Sequence, residues 1–113
     1  MAITQSQSMQ PASVVNTAVG SYIIESGDTA AAITITCGFK PRYVKVLNTA
    51  SSGGYMEWFE GMAAAYGFKY LSADGAGALV TSNGITVSDS GFIIGLDTDI
   101  NVKAEQIRWI ALG

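Results

Sequence analysis

At 113 residues the chain has the length of one domain, and such a chain buries about two-thirds of its unfolded surface without a disulfide or metal staple. Apolar residues make up 49%, which excludes a disordered body, while charged residues make up only 13% against about 25% in an ordinary soluble domain. Nine acidic and six basic side chains, no histidine and a single cysteine exclude a basic nucleic-acid footprint, an intrachain disulfide and any histidine-dependent catalysis. A surface so poor in charge is expected to be partly covered by other protein, copies of the same chain included.

Residues Met1 to Ser13 carry no charge and are rich in Gln and Ser, with Ile3 and Met9 among the few apolar positions. Pro11 breaks any helix there. The segment reads as an extended N-terminal arm over residues 1–13 that either frays or orders against a neighbouring subunit. It lacks the basic start and apolar centre of an export signal, so none is expected. The longest apolar runs, such as Met62–Tyr66, fall far short of the ~20 residues of a membrane span.

From Val14 onward the texture is β. Val19–Ile24 is strand-like, with Gly20 marking a bulge or bend, and Ser26-Gly27-Asp28 is a turn. Ala30–Cys37 alternates cleanly, with Ile33, Ile35 and Cys37 on one face and Thr34 and Thr36 on the other. Cys37 is read as a small buried apolar residue. Tyr43–Leu47 follows with Val44 and Val46 inward and Lys45 outward, and Asn48–Gly54 reads as a hairpin loop into Tyr55–Phe59. That strand has Met56 and Trp58 on one face and Tyr55, Glu57 and Phe59 on the other.

Gly61–Gly77 is read as loop around a short strand at Phe68–Leu71, with at most one helical turn at Met62–Ala65. Short strands are expected at Leu79–Thr81, Ile85–Val87 and Phe92–Leu96, with Asn83-Gly84 as a hairpin turn. Gln106–Leu112 is the last strand, with Ile107, Trp109 and Ala111 on one face, and it is expected to be paired inside a sheet. Eight or nine short strands with turns every ~8–12 residues predict an antiparallel β-sandwich or jelly-roll-like barrel over residues 14–113, preceded by the arm.

Four constellations could carry chemistry. Asp97-Thr98-Asp99-Ile100-Asn101 matches the opening of a calcium loop, but Val102 and Arg108 stand where that loop needs Gly and Glu. Glu57 and Glu60 are too close in sequence to face each other across a cleft. Asp74-Gly75-Ala76-Gly77 lacks the Lys-Ser/Thr of a phosphate loop. The aromatics Tyr43, Tyr55, Trp58, Phe59, Tyr66, Phe68 and Tyr70 crowd one third of the chain. They are expected mostly in the core, with a subunit interface or a sugar-binding platform as the other uses. No cofactor, metal or catalytic residue is expected.

Gly38-Phe39-Lys40-Pro41-Arg42-Tyr43-Val44-Lys45-Val46-Leu47-Asn48 is followed by Tyr55-Met56-Glu57-Trp58-Phe59-Glu60-Gly61-Met62, then Gly91-Phe92-Ile93-Ile94-Gly95-Leu96 and Ile107-Arg108-Trp109-Ile110-Ala111. Together these stretches resemble small structural proteins encoded by tailed bacteriophages. The resemblance implies a virion component. It points in particular to the β-sandwich cement, or decoration, proteins that bind the outside of the capsid between capsomers as trimers or dimers. It brings no catalytic residue and does not reach the arm. The partners so implied are the major capsid protein and further copies of the chain, on the capsid exterior of a particle assembled in the host cytoplasm, with neither nucleic acid nor membrane. Ile3, Met9, Tyr55 and Phe59 are the expected contact residues. The alternative is a tail-fibre or baseplate tip that binds a host surface glycan through aromatics together with Asp97 and Asp99.

Overall fold

The computed structural model describes residues 16–50 and 54–113. The all-β, antiparallel expectation holds: eight strands form one sheet that curls into a half barrel. In chain order they are β1 (Thr17–Tyr22), β2 (Ile33–Thr36), β3 (Tyr43–Asn48), β4 (Tyr55–Phe59), β5 (Tyr66–Leu71), β6 (Ala76–Val87), β7 (Gly91–Ile94) and β8 (Ile107–Leu112). Their order across the sheet is β1-β8-β3-β4-β5-β6-β7-β2. The four hairpins from β3 to β7 are sequential neighbours. The last strand inserts between β1 and β3, so it is paired on both sides as expected. Ile3, Met9 and the rest of the expected arm lie outside the described residues.

One face of the sheet forms the core because the pleat sends alternate residues to it. Val44 and Val46 of β3, Met56 and Trp58 of β4 and Ile107 and Ala111 of β8 are buried there. The curl brings β7 over against β8, although five strand pairings separate them in the sheet. Phe92 meets Trp109 edge to face, with ring centroids 5.3 Å apart. Gly20 serves this packing and forms no bulge. The Trp109 indole lies where a Cβ at Gly20 would stand, 2.5 Å from its nearest ring atom. Ile35 and Cys37 pack against the same core from the side of β2. Each fully buried side chain of this kind contributes about 1.5–3 kcal/mol.

The largest departure from the sequence reading is β6. Asn83-Gly84 does not turn a hairpin but sits inside one strand of 12 residues. Tyr66 pairs with Ile85 while its neighbour Gly67 pairs with Val80, so four residues of β6 bulge out between these two pairings. Asn83 takes a left-handed backbone, φ 58°, which Asn tolerates. Gly84 donates its N–H to the Ala65 carbonyl at 2.9 Å. Its Cα presses so close to the Tyr66 and Ala65 carbonyls that a Cβ would collide with backbone. The same local chemistry that favours a hairpin here makes a kink, and the kink lets the strand leave β5 and pair with β7. No helix forms at Met62–Ala65; that stretch is turn and irregular chain.

Candidate functional site

Two features stand out: a polar plug at one end of the half barrel, and the outer face of the sheet. The plug comes from the connection between β7 and β8. Ile100, fully buried, stoppers the core. Asp97 is the hub. Its Oδ1 accepts the backbone N–H of Asp99 at 2.9 Å and of Ile100 at 3.1 Å. The same carboxylate receives Lys69 Nζ, 3.0 Å from Oδ2, while Asp99 Oδ2 takes Lys69 at 2.8 Å. Burial pushes the Lys69 pKa down, but the hydrogen bonds to Asp99 and Asp97 outweigh it and hold the ammonium above its ordinary value.

Two buried asparagines stitch the plug to the sheet. Asn48 donates Nδ2 to Glu105 Oε1 at 2.8 Å and to the Asp99 carbonyl at 3.1 Å. Asn101 donates to the Ala31 and Gly95 carbonyls and accepts the Tyr22 hydroxyl at 2.7 Å. Burial of Tyr22 raises its pKa well above the usual tyrosine range. The oxygens considered for calcium from sequence are therefore turned to an ammonium, to backbone N–H groups and, at Asn101, to the Tyr22 hydroxyl. Their work is structural, closing the end of the barrel.

The outer face is different. Register places Val19, Ile110, Lys45, Glu57, Phe68 and Leu79 in one unbroken row across β1, β8, β3, β4, β5 and β6. A second row runs Ser21, Arg108, Leu47, Tyr55, Tyr70 and Gly77, and a third holds Thr17, Leu112, Tyr43 and Phe59. Val19 is 70% exposed, Leu79 58% and Phe59 51%. Leu47, Phe68 and Leu112 are exposed as well. Scattered apolar residues on a surface are ordinary; here one exposed apolar residue from each of six strands lies on the same sheet face.

The aromatics on this face are ordered among themselves. Tyr43 and Phe59 meet edge to face at 5.1 Å, and Tyr55 stacks on Tyr70 at 5.4 Å. Lys45 Nζ lies 4.4 Å from the centre of the Tyr55 ring, a cation–π contact. Glu57 accepts the Tyr43 hydroxyl. Burial first, and the Glu57 carboxylate second, raise the Tyr43 pKa above the usual tyrosine range. Gly77 leaves room for the Phe68 ring to lie over its Cα. A shallow depression of about 280 Å³ opens beside Lys45, Leu47, Arg108 and Ile110.

The expectation that the clustered aromatics are mostly core is corrected here. Of the seven, only Trp58 belongs to the buried core. Tyr43, Tyr55, Phe59, Phe68 and Tyr70 have the opposite pleat parity from Val44, Met56 and Trp58 and face outward. Tyr55 and Phe59, named from sequence, therefore share one face. Val19, Leu79, Leu112 and Arg108 were not named. Each strand's alternation showed their parity, but only the strand order shows that they line up with the aromatics. Glu57 and Glu60 do not share a cleft. Glu57 lies on the outer face, whereas Glu60 pairs with Arg42 at 3.5 Å and lines a separate pocket of about 280 Å³ with Lys40, Trp58 and Met62. Asp74-Gly75 closes the turn and Ala76-Gly77 begins β6, with no helix after it. Among the described residues no group of three or more His, Cys, Asp or Glu side chains could hold a metal ion.

Fold and face together define a small all-β module with an ordered, apolar and aromatic outer sheet surface. No known family model matches the chain, and no curated protein or solved structure does so either.

Proposed function

We propose that this chain is a structural protein of a virion shell, a capsid cement or decoration protein that binds the outer capsid surface between capsomers and stabilises the head. The observation that carries the reading is the outer face. Val19, Leu47, Phe59, Phe68, Leu79 and Leu112 stand exposed on this one face of a chain with only 13% charged residues, and exposed apolar surface of that kind favours coverage by other protein. The resemblance of residues 38–48, 55–62, 91–96 and 107–111 to tailed-phage structural proteins supports the setting. The buried polar groups support a non-catalytic role: Asp97, Asn48 and Asn101 are consumed in holding the plug. A rigid module of this kind needs only modest affinity per site, because many symmetric copies act together on one shell.

Quantitative mass spectrometry of particles purified from a host carrying this sequence tests the proposal. The expected result is a copy number comparable to that of the major shell protein. Absence from the particle contradicts it. A few copies confined to the tail would favour the glycan-binding tip instead, although Asp97, one of the two carboxylates that reading needs, is only 7% exposed and turned inward to Lys69.

A further inference from the structure

We infer that the outer sheet face pairs with the same face of a second copy of this chain, about a two-fold axis that runs along the strands between β3 and β4. The inference rests on the reading above that protein covers this face, and it names the protein.

A two-fold interface requires self-complementarity, because each patch meets itself. A rotation about this axis lays β3 over β4 of the second copy, β8 over β5 and β1 over β6. The face divides at that line into halves of opposite character. One half, on β1, β8 and β3, carries the aliphatic Val19, Ile110 and Leu47 and the cations Lys45 and Arg108. The other, on β4, β5 and β6, carries Tyr55, Phe59, Phe68, Tyr70 and Leu79 and the anion Glu57.

Superposing the halves satisfies each row. In the central row, Lys45 faces Glu57 of the second copy twice, once on each side of the axis. In the same row Ile110 meets Phe68, while Val19 and Leu79 flank the contact at its edges. In the second row Leu47 meets Tyr55, and the Arg108 guanidinium lies over Tyr70, a pairing that planar cations and aromatic faces favour. In the third row Tyr43 meets Phe59. No cation meets a cation and no anion meets an anion. A rotation about an axis perpendicular to the strands in the same plane, through the central row, would instead set Lys45 against Lys45 and Glu57 against Glu57.

The dimensions allow it. The curl of the sheet turns β1 and β6 away and concentrates contact on β8, β3, β4 and β5. Four strands spaced ~4.8 Å apart and five residues long at ~3.4 Å each present roughly 330 Å² of projected face, which side-chain relief raises toward the low end of specific interfaces. Aligned sheet-on-sheet packing of this kind builds the core of a β-sandwich, here from two chains.

The test uses the full chain in sedimentation velocity and light scattering, with circular dichroism confirming the fold of each variant. The wild type is expected to be a dimer. Lys45→Glu places two carboxylates in contact across the axis, and Glu57→Lys places two ammoniums there. Each variant alone is expected to dimerise about 100-fold more weakly or worse, since like-charge contacts cost several kcal/mol. An equimolar mixture of the two is expected to form a heterodimer, because each altered side chain then faces its opposite. Phe59→Asp, at an exposed position, is expected to give a folded monomer that no mixture rescues. A monomeric wild type, or a mixture no tighter than the separate variants, overturns the inference. The two readings fail separately. A monomer that still co-purifies with particles overturns the pairing alone, whereas a charge-swappable dimer absent from particles upholds the pairing and removes the shell.

Discussion

Lys69→Met removes the one cation that faces Asp97. The Lys69 side chain is 17% exposed and that of Asp97 8%, so the substitution leaves a carboxylate buried without its counter-charge. Removing one partner of a buried pair costs about 3–5 kcal/mol. The lower end applies here, because Asp97 keeps two backbone N–H donors and Asp99, at 42% exposure, regains water. An expected loss of about 3 kcal/mol, with a urea slope of about 1.5 kcal/mol/M, lowers the unfolding midpoint by roughly 2 M. Tryptophan fluorescence reads it, since Trp58 and Trp109 both belong to or pack on the core. Lys69→Met combined with Asp97→Asn keeps the Oδ1 acceptor while removing the stranded charge, and is expected to recover most of the loss. A midpoint for Lys69→Met within about 0.3 M of wild type, less than 0.5 kcal/mol on the same slope, would show that the plug does not depend on this ion pair.

Three further outcomes follow from particular residues. Tyr22, Tyr43 and Lys69 all hold their protons more tightly when folded, so their contribution is complete below about pH 10 and is lost as pH rises beyond it; thermal melts between about pH 8 and pH 11 should show the fall, and Tyr22→Phe should flatten it while costing about 1 kcal/mol at neutral pH. Gly84→Ala drives a methyl into the Tyr66 and Ala65 carbonyls, and a loss of about 1–3 kcal/mol in chemical denaturation is expected, whereas no loss would mean that the kink relaxes freely. Ala104 holds a left-handed backbone, φ 66°, and Ala104→Gly relieves it; a gain of about 0.5–1 kcal/mol is expected, and a lower melting temperature would contradict the strain.

Parity was legible in the sequence wherever a strand alternates. Val44 and Val46 against Lys45, Met56 and Trp58 against Glu57, and Ile107 and Ala111 against Arg108 all fall on the faces their spacing predicts. Strand order was not legible. β8 slots between β1 and β3 through contacts far apart in the chain, and no local signal encodes them. The outward position of the aromatic cluster is hidden for that reason: each tyrosine's parity is visible in the sequence, but not that the outer faces of six strands join. Asn83-Gly84 misled for a related reason. Its readiness for a left-handed backbone suits a kink as well as a hairpin, and the backbone approach of Ala65 and Tyr66 selects the kink. The ion pair of the plug was hidden likewise, since Lys69 on β5 and Asp97 after β7 meet only once the sheet has curled.

Side-chain imaging of purified particles bears most directly on whether this module is a shell component whose outer face is covered. The account predicts density for the chain on the head surface, with Tyr55, Phe59 and Phe68 buried against protein. A head that lacks the chain, or one on which that sheet face looks out bare into solvent, would contradict it.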